Sequence, residues 1–253
     1  MDLDGRRGLV IGIANEHSIA FGCAQAFVDA GARLALTWLN DKAEPHVRPL
    51  GEALGADLML ACDVSVPGQL EAVFEQVART WGRLDFVLHS IAFAPRDDLH
   101  APLIDSSAEG FALAMDVSCH SFIRAARLAL PLMSDGGALM TVSYYGAEHV
   151  VDHYNLMGPV KAALEASVRS LAVELAPRRV HVHALSAGPV NTRAASGIAH
   201  FDELIDSVRA RTPGHQLTDL PAIGRIAAFL ASDAGAPLTG SVTFADNGFH
   251  ITA

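Results

Sequence analysis

The sequence lacks the features that mark membrane, secreted and multidomain proteins. It contains no run of 18 apolar residues, and its first apolar strand begins within seven residues of Met1, which leaves no room for a signal peptide. No stretch rich in Pro, Gly and Ser, and no dense run of charge, divides the 253 residues. We therefore expect one cytoplasmic domain, spanning residues 1–253, with no membrane segment.

Cysteines and charged residues are also scarce. Cys23, Cys62 and Cys119 lie far apart without a CxxC pair, so we expect reduced, buried thiols. Only 18% of the residues are charged, and the net charge of -10 disfavours binding to nucleic acid or to an anionic membrane. The hydrophobic share of 51% favours a sheet covered on both faces and a further surface buried between subunits. Small-molecule partners and oligomerisation are therefore expected.

What the chain does contain is an alternation of short apolar runs with segments of helical period. The alternation predicts an α/β domain with a doubly wound parallel sheet of about seven strands and helices on both faces. The ligand site of such a sheet lies at the carboxyl ends of its strands. The predicted strands are Gly8 to Ile13, Arg33 to Leu39, Leu58 to Cys62, Phe86 to Ser90, Ala138 to Ser143, His181 to Leu185 and Val242 to Ala245. The predicted helices are Ser18 to Ala30, Asp41 to Leu54, Gln69 to Trp81, Glu109 to Leu132, Tyr154 to Ala176 and Pro221 to Ser232.

The first strand leads directly into GIANEHSIAFG, residues Gly12 to Gly22. Gly12 permits a tight turn, and Ser18 can cap the helix that follows. The N-terminus of that helix would present N–H groups and a positive dipole to a pyrophosphate. Because the simple G-x-G-x-x-G spelling is absent, an ordinary loop with a helix cap stays open as the alternative.

The second strand ends in Trp38, Leu39, Asn40 and Asp41, and Lys42 is the nearest cation. Without an Arg or Lys in the turn to hold a 2′-phosphate, the pattern favours NADH over NADPH. The third strand ends in Asp63-Val64 and the fourth in His89-Ser90-Ile91-Ala92, on the rim where adenine and ribose would lie. Ordinary polar residues at strand ends are the alternative explanation.

Two tyrosines and a lysine follow the fifth strand. Ser143 is followed by Tyr144 and Tyr145, and Tyr154 precedes Lys161 by seven residues, or two turns on nearly the same face of a helix. A phenol with a pKa near ~10 is a poor acid at neutral pH. A neighbouring ammonium favours the developing phenolate, and O–H donors can stabilise an oxyanion in a dry site. The alternative is a tyrosine at a helix start and a solvated lysine.

These segments occur in order with LTWLND, CDV, HSIAFAP, SYYGAE, YNLMGPVKAALEASVR, AGPVNTRAASGI and the closing AAFLASD, LTG and DNGFHI. Together they resemble, over essentially the whole chain, the enoyl-acyl-carrier-protein reductase branch of the short-chain dehydrogenase/reductase superfamily. The Y-x6-K spacing from Tyr154 to Lys161 is the discriminating element. Ketoreducing members use Y-x3-K, and here the residue four after Tyr154 is Gly158.

The resemblance implies a Rossmann-type reductase that uses NADH to reduce the double bond of trans-2-enoyl thioesters on acyl-carrier protein. Tyr154 would donate to the enolate oxygen, Lys161 would hold the nicotinamide ribose, and Tyr144 would line the acyl pocket with Ala94 and Met157. It also implies a homotetramer, packed through the helices after strands four and five, and a substrate lid at about 193–211. The implied cofactor contacts are Gly12, Ala14, Ser18 and Ile19 at the pyrophosphate, Leu39, Asp63 and Val64 at the adenosine, Ser90, Ile91 and Ala92 along the cofactor, and Val190 and Thr192 at the nicotinamide amide.

The chain departs from the family pattern in three places. Asn247 stands where many relatives repeat a glycine, Arg193 stands where an apolar residue is common, and TPGHQLTDL near the lid lacks the expected basic residues. These departures bear on the substrate and leave the expected fold and cofactor unchanged.

Other polar features have simpler interpretations. His181 and His183 share a strand face but lack a third and fourth ligand nearby, so we expect no metal. His149 and His153 are expected to be surface loop residues. Glu165 and Arg169 are expected to form a solvated i,i+4 pair. Arg178-Arg179 is expected to meet the helix dipole, with contact to an acidic carrier as the alternative.

Two rival functions stay open at this point. A short-chain carbonyl reductase or alcohol dehydrogenase can use the same scaffold, since a fold does not determine a function. The non-enzymatic alternative is a sensor that binds NADH without turnover. The presence of both Tyr154 and Lys161 argues against the sensor.

Overall fold

The computed structural model describes residues 2–190 and 201–252, with side chains for all of these except residues 201 and 202. Within these ranges seven parallel strands form one sheet in the order β3-β2-β1-β4-β5-β6-β7. None of the described helices is long and apolar enough to cross a membrane. The strands are β1 (Arg7–Ile11), β2 (Arg33–Trp38), β3 (Leu58–Ala61), β4 (Phe86–His89), β5 (Gly137–Ser143), β6 (Val180–Ala187) and β7 (Val242–Ala245).

Helices cover both faces of the sheet, which explains why the central strands are apolar on both sides. On β1, Leu9 and Ile11 face α3, α6 and α7, whereas Val10 faces α1 and α9. The predicted doubly wound architecture is therefore confirmed. The helices are α1 (Ile19–Asp29), α2 (Glu44–Ala53), α3 (Gln69–Trp81), α4 (Arg96–His100), α5 (Ala108–Met115), α6 (Ser121–Ala129), α7 (Met157–Leu175), α8 (Phe201–Arg211) and α9 (Leu220–Ala231).

The predicted helix from Glu109 to Leu132 is wrong as a single element. A π-helical segment, Asp116–His120, separates α5 from α6, and a 3-10 turn, Leu130–Leu132, follows α6. Side-chain hydroxyls accompany the break. Ser118 Oγ accepts from the Phe93 N–H at 2.8 Å and donates to the Phe93 carbonyl at 2.9 Å, while Ser121 Oγ donates to the Val117 carbonyl. Hydroxyls that bond to backbone in this way compete with regular helical hydrogen bonds.

The predicted helix from Tyr154 to Ala176 begins three residues too early. Helix α7 starts at Met157, and Tyr154 lies in the preceding turn. His153 and Asn155 on either side of it have left-handed backbone, with φ of 62° and 35°. Asn155 Nδ2 also donates to the Leu99 carbonyl at 2.8 Å, which holds the turn against α4. The prediction that Tyr154 and Lys161 lie on one helix is therefore wrong, although both side chains are buried.

Candidate active site

The sheet order sets the position of the site. Strand β1 lies between β2 and β4, so the connections after β1 and after β3 leave the sheet in opposite directions. A crevice opens at such a switch point, outside the carboxyl ends of the strands. The predicted site residues within the described ranges follow β1, β2, β3, β4, β5 and β6 at this edge, or lie on the turn and helix after β5.

The turn after β1 is shaped for close approach of a ligand to backbone. Gly12 has φ of 101°, and a Cβ at this position would overlap the Ser90 carbonyl oxygen at the end of β4. Ser18 occupies the N-cap position of α1, but its hydroxyl donates to the Asn15 carbonyl at 2.7 Å. The expectation that Ser18 caps the helix is therefore wrong. Among the described residues no side chain caps α1, so the N–H groups near Ile19 are available to an anion.

Strands β2 and β3 supply the next part of the rim. Leu39, directly after β2, is 52% exposed and offers an apolar surface. The Asp63 carboxylate accepts from the Ser65 N–H at 2.9 Å and from its hydroxyl at 2.6 Å, which fixes the loop after β3. Val64 is buried, and its carbonyl accepts from Arg124 Nη2 at 2.7 Å. The loop therefore has a fixed backbone beside the crevice.

The nearest arginine to the end of β2 is engaged elsewhere. Arg48 on α2 donates to the Glu44 carboxylate from both Nε and Nη2. Its guanidinium also lies 5.3 Å from the centre of the Trp38 ring, the last residue of β2. Arg48 is exposed, and a phosphate at the end of β2 would have to compete with these two partners for its guanidinium.

The segment after β4 continues the rim. Ser90 and Ile91 are half-buried and Ala92 is exposed, so all three can contact a ligand in the crevice. His89, at the end of β4, is fully buried between Thr141 Oγ1 at 3.1 Å and Ser121 Oγ at 2.7 Å. Burial lowers the pKa of His89 to about 3, so the imidazole is neutral at ordinary pH. It acts as a structural link between β4, β5 and α6.

The two tyrosines meet at the opposite end of the crevice. The rings of Tyr144 and Tyr154 pack edge to face, with centroids 5.0 Å apart and an angle of 68° between the planes. Burial raises the pKa of Tyr144 to about 12 and the pKa of Tyr154 further still. Both phenols therefore stay protonated and can donate a hydrogen bond to a ligand. The Tyr144 hydroxyl is buried and has no hydrogen-bond partner in the part of the chain that the structure describes.

Lys161 is 4% exposed and lies on the first turns of α7. Its Nζ donates to the Val142 carbonyl on β5 at 2.6 Å. Burial lowers the pKa of Lys161 to about 8, with the Glu165 carboxylate acting in the opposite direction. The lysine is therefore a buried, mostly protonated donor at neutral pH and not the solvated side chain of the alternative interpretation.

Tyr154 and Met157 belong to one apolar cluster, against which Ala94 and Tyr144 pack. The predicted acyl-pocket residues thus lie together with the predicted donor. A cluster of this kind offers an apolar wall beside two O–H groups. Such a wall suits a ligand that is apolar along its length and polar at one oxygen.

The far side of the crevice lies under helix α8. A cavity of about 490 Å³ lies between the end of β6 and α8, and its lining includes Val190, Ile205 and Arg209. Of the predicted residues in this region, Thr192, Arg193 and the first part of the 193–211 lid segment, as far as residue 200, lie outside the described residues. Asn247 has φ of 54°, and its Nδ2 donates to the Gln216 carbonyl at 3.0 Å, inside TPGHQLTDL. Two of the three departures from the family pattern therefore contact each other.

Glu165 and Ser143 form a buried contact that was not expected from the sequence. Glu165 is 4% exposed, and Ser143 Oγ donates to its carboxylate. The predicted solvated pair of Glu165 with Arg169 is therefore wrong, because Glu165 points toward β5 and not toward water. The signal that was available is the spacing from Lys161 to Glu165, which places both on one face of a helix.

The remaining polar candidates add no site. The described residues hold no group of three or more His, Cys, Asp or Glu side chains that could bind a metal ion. His149 is exposed and stacks on Tyr145, with ring centroids 4.3 Å apart. The three cysteines are buried free thiols, which confirms that expectation.

Comparison with known families places the chain clearly. A family model described as enoyl-(acyl carrier protein) reductase matches residues 12–250. The enoyl-acyl-carrier-protein reductase (NADH) 1 of Rhizobium meliloti strain 1021 is 44% identical over 248 residues, which are 98% of this chain and 91% of the relative.

Solved structures agree with this result. The enoyl-acyl-carrier-protein reductase of Anaplasma phagocytophilum, solved in complex with NAD, has a TM-score of 0.94 and 43% identity, covering 98% of this chain and 95% of that one. The Bacillus cereus enoyl-acyl carrier protein reductase, solved with NADP+ and an indole naphthyridinone, has a TM-score of 0.96 and 39% identity, covering 100% of both chains.

The close approach of Gly146 to Tyr154 generates a test of the site's packing. A Cβ on Gly146 would lie 2.5 Å from Cδ1 of the Tyr154 ring. We expect Gly146→Ala to lower the free energy of unfolding by about 1–3 kcal/mol, measured by urea denaturation, because the ring must move. In a Tyr154→Ala background the same substitution should cost much less. An equal cost in both backgrounds would show that the ring is not the obstacle.

Proposed function

The chain belongs to the enoyl-(acyl carrier protein) reductase family, and we propose that Tyr154, Lys161 and Tyr144 carry out its reaction. The reaction is reduction of the 2,3-double bond of trans-2-enoyl thioesters with NADH in fatty-acid synthesis, and acyl-carrier protein is the proposed carrier. The observation that carries the assignment of residues is the Tyr144–Tyr154 pair, which packs in an apolar cluster, together with the buried Lys161, whose ammonium is bonded to β5 two residues before Tyr144.

The described residues fit a nicotinamide dinucleotide. The uncapped N-terminus of α1 suits the pyrophosphate, and the absence of a Cβ at Gly12 lets the backbone approach it. Ala14, Ser18 and Ile19 would hold the pyrophosphate side. Leu39, Asp63 and Val64 would surround the adenosine, Ser90, Ile91 and Ala92 would follow the cofactor, and Val190 and Thr192 would face the nicotinamide amide. When bound, NADH supplies the hydride that adds to the β carbon of the thioester.

Side chains of this protein then stabilise the negative charge that develops on the substrate. Tyr154 donates a hydrogen bond from its O–H to the thioester oxygen as that oxygen becomes an enolate, because its raised pKa keeps the phenol protonated. A proton from solvent then adds to the α carbon, which completes the reduction. Lys161 would hold the ribose hydroxyls of the cofactor, and its positive charge would stabilise negative charge that develops on the phenol oxygen. Tyr144, Ala94 and Met157 shape the acyl pocket. Helix α8 within the 193–211 segment covers the substrate and excludes water.

A carbonyl reductase on the same scaffold is the rival enzyme. Assays of a 2-enoyl thioester and a 3-keto thioester side by side, followed by the loss of NADH absorbance, separate the two functions. We expect turnover of the enoyl thioester alone. Turnover of the keto thioester alone would overturn the proposed function, and binding of NADH without turnover of either would support the sensor.

Replacement of the tyrosines tests the donor. Tyr154→Phe should lower kcat by roughly 10- to 1,000-fold, the range for loss of one oxyanion donor, with NADH affinity nearly unchanged. Tyr144→Phe should cost less, since in this assignment it shapes the pocket. If Tyr154→Phe turned over an enoyl thioester at the wild-type rate, Tyr144 would become the donor.

Replacement of the lysine should behave differently. Lys161→Ala should weaken NADH binding by roughly 10- to 100-fold as well as lowering turnover, because a charged donor to the ribose is lost. Titration of NADH fluorescence measures the binding, and Tyr154→Phe serves as the comparison. Unchanged NADH affinity in Lys161→Ala would show that Lys161 does not bind the ribose.

The contacts of Arg48 with Glu44 and Trp38 lead to a prediction about the cofactor. We expect kcat/KM for NADH to exceed that for NADPH by roughly 10- to 100-fold, because the 2′-phosphate would lack a charged partner. Glu44→Gln frees Arg48 and should narrow the ratio. Glu75→Gln, which breaks a comparable exposed pair with Arg79 on α3, should leave it unchanged. Equal rates with both cofactors in the wild type would show that Lys42 or Arg48 already meets the phosphate.

The exposed apolar residues of α5 and α7 support assembly into a homotetramer. Phe111 and Leu113 on α5 and Val173 on α7 are exposed, and these helices follow β4 and β5. Sedimentation velocity at micromolar protein should show a tetramer, and Val173→Glu should shift it to smaller species. Val150→Glu, at a fully exposed residue outside these helices, is the control. A wild-type monomer would refute the tetramer.

A further inference from the structure

Two consecutive residues of β5 hold two charged side chains of α7. Val142 accepts the hydrogen bond of the Lys161 ammonium through its carbonyl, and Ser143 donates its hydroxyl to the Glu165 carboxylate. Lys161 and Glu165 are separated by one helical turn, and each is 4% exposed. Opposite charges are thus held side by side between a strand and a helix.

A buried carboxylate needs more compensation than one hydroxyl supplies. Burial raises the pKa of Glu165, while the hydrogen bond from Ser143 and the positive charges of Arg169 and Lys161 oppose the rise. The buried Lys161 ammonium likewise needs a compensating negative charge, since the carbonyl to which it donates is neutral. Each charge therefore reduces the cost of burying the other.

We propose that Glu165 is a positioning residue of the active site, whose carboxylate, oriented by Ser143, keeps the Lys161 ammonium charged and in place for the cofactor ribose. This inference rests on the proposed function of Lys161. Glu165 itself touches neither the cofactor nor the substrate in this scheme and acts only through Lys161.

Other titratable groups near Lys161 and Glu165 also contribute to the electrostatic potential at the pair. Tyr154 and Glu148 come from the segment between β5 and α7, and Arg169 comes from α7 itself. Cys119 belongs to the π-helical segment and His89 to β4. Of these, Glu148 is the other carboxylate, and it is exposed, so water screens it more than Glu165.

The test is the pH dependence of NADH binding. In the wild type the affinity should fall as the pH rises through about 8, because Lys161 then loses its proton. Glu165→Gln keeps the shape and an oxygen acceptor for Ser143 but removes the charge. Its midpoint should lie at lower pH, so that at alkaline pH its Kd exceeds that of the wild type by about 3- to 10-fold, the effect of half to one unit of pKa. At pH 6 the two proteins should bind NADH equally.

Glu174→Gln is the matched control, since Glu174 is an exposed carboxylate on the same helix, and its profile should follow that of the wild type. Glu165→Asp keeps the charge, so the midpoint of its pH profile should stay near that of the wild type. This variant is used for the test if Glu165→Gln fails to fold. A Glu165→Gln profile with an unchanged midpoint, or an equal loss of affinity at every pH, would overturn the proposal. So would a shifted midpoint in a folded Glu165→Asp. Because binding is measured without thioester, a failure of enoyl turnover in the wild type would be seen separately.

Discussion

The hydrogen bond from the Lys161 ammonium to the Val142 carbonyl is the contact on which the reactive end depends. It joins α7 to β5, and β5 is held on both sides by β4 and β6. A buried ammonium cannot leave such a partner without a large cost, so the start of α7 is fixed relative to the sheet. Tyr144 follows β5 directly and Tyr154 precedes α7, so the same bond sets the distance between the two phenols.

Tyr154 lies in the turn before α7, whereas Lys161 lies on the helix itself. The left-handed backbone at His153 and Asn155 would be strained in isolation, and Asn155 is a residue type that tolerates it. Gly146 completes the fit, because only a residue without Cβ leaves room for the Tyr154 ring. The seven-residue spacing therefore predicted the wrong geometry, since a separation of seven residues is compatible with both a helix and a turn followed by a helix.

The elements that the sequence predicts best are those decided by burial and by glycine. The bounds of α3 and β7 agree with the prediction, and α3 runs between Gly68 and Gly82, which are both left-handed. The other strand ends differ from the prediction by at most two residues. The π-helical segment was not predictable, since it depends on Ser118 meeting the Phe93 backbone from a distant part of the chain. The burial of Glu165 escaped prediction for the same reason: its partner Ser143 lies on another element.

Contacts made by the closing segment, which contains the family departure Asn247, connect helix α8 to the site. Asn247 ties the closing segment to Gln216, and the Arg211 guanidinium at the end of α8 lies 4.8 Å from the centre of the Phe249 ring. Phe249 in turn packs edge to face on Tyr145, with centroids 5.0 Å apart, and Tyr145 is the neighbour of Tyr144. A movement of α8 that lifts Arg211 from Phe249 therefore removes packing from the segment that carries Tyr144. Helix α8, the proposed substrate cover, and Tyr144, a proposed acyl-pocket residue, are thus joined through one line of contacts, while the proposed cofactor end, built on β1 to β4, lies outside it.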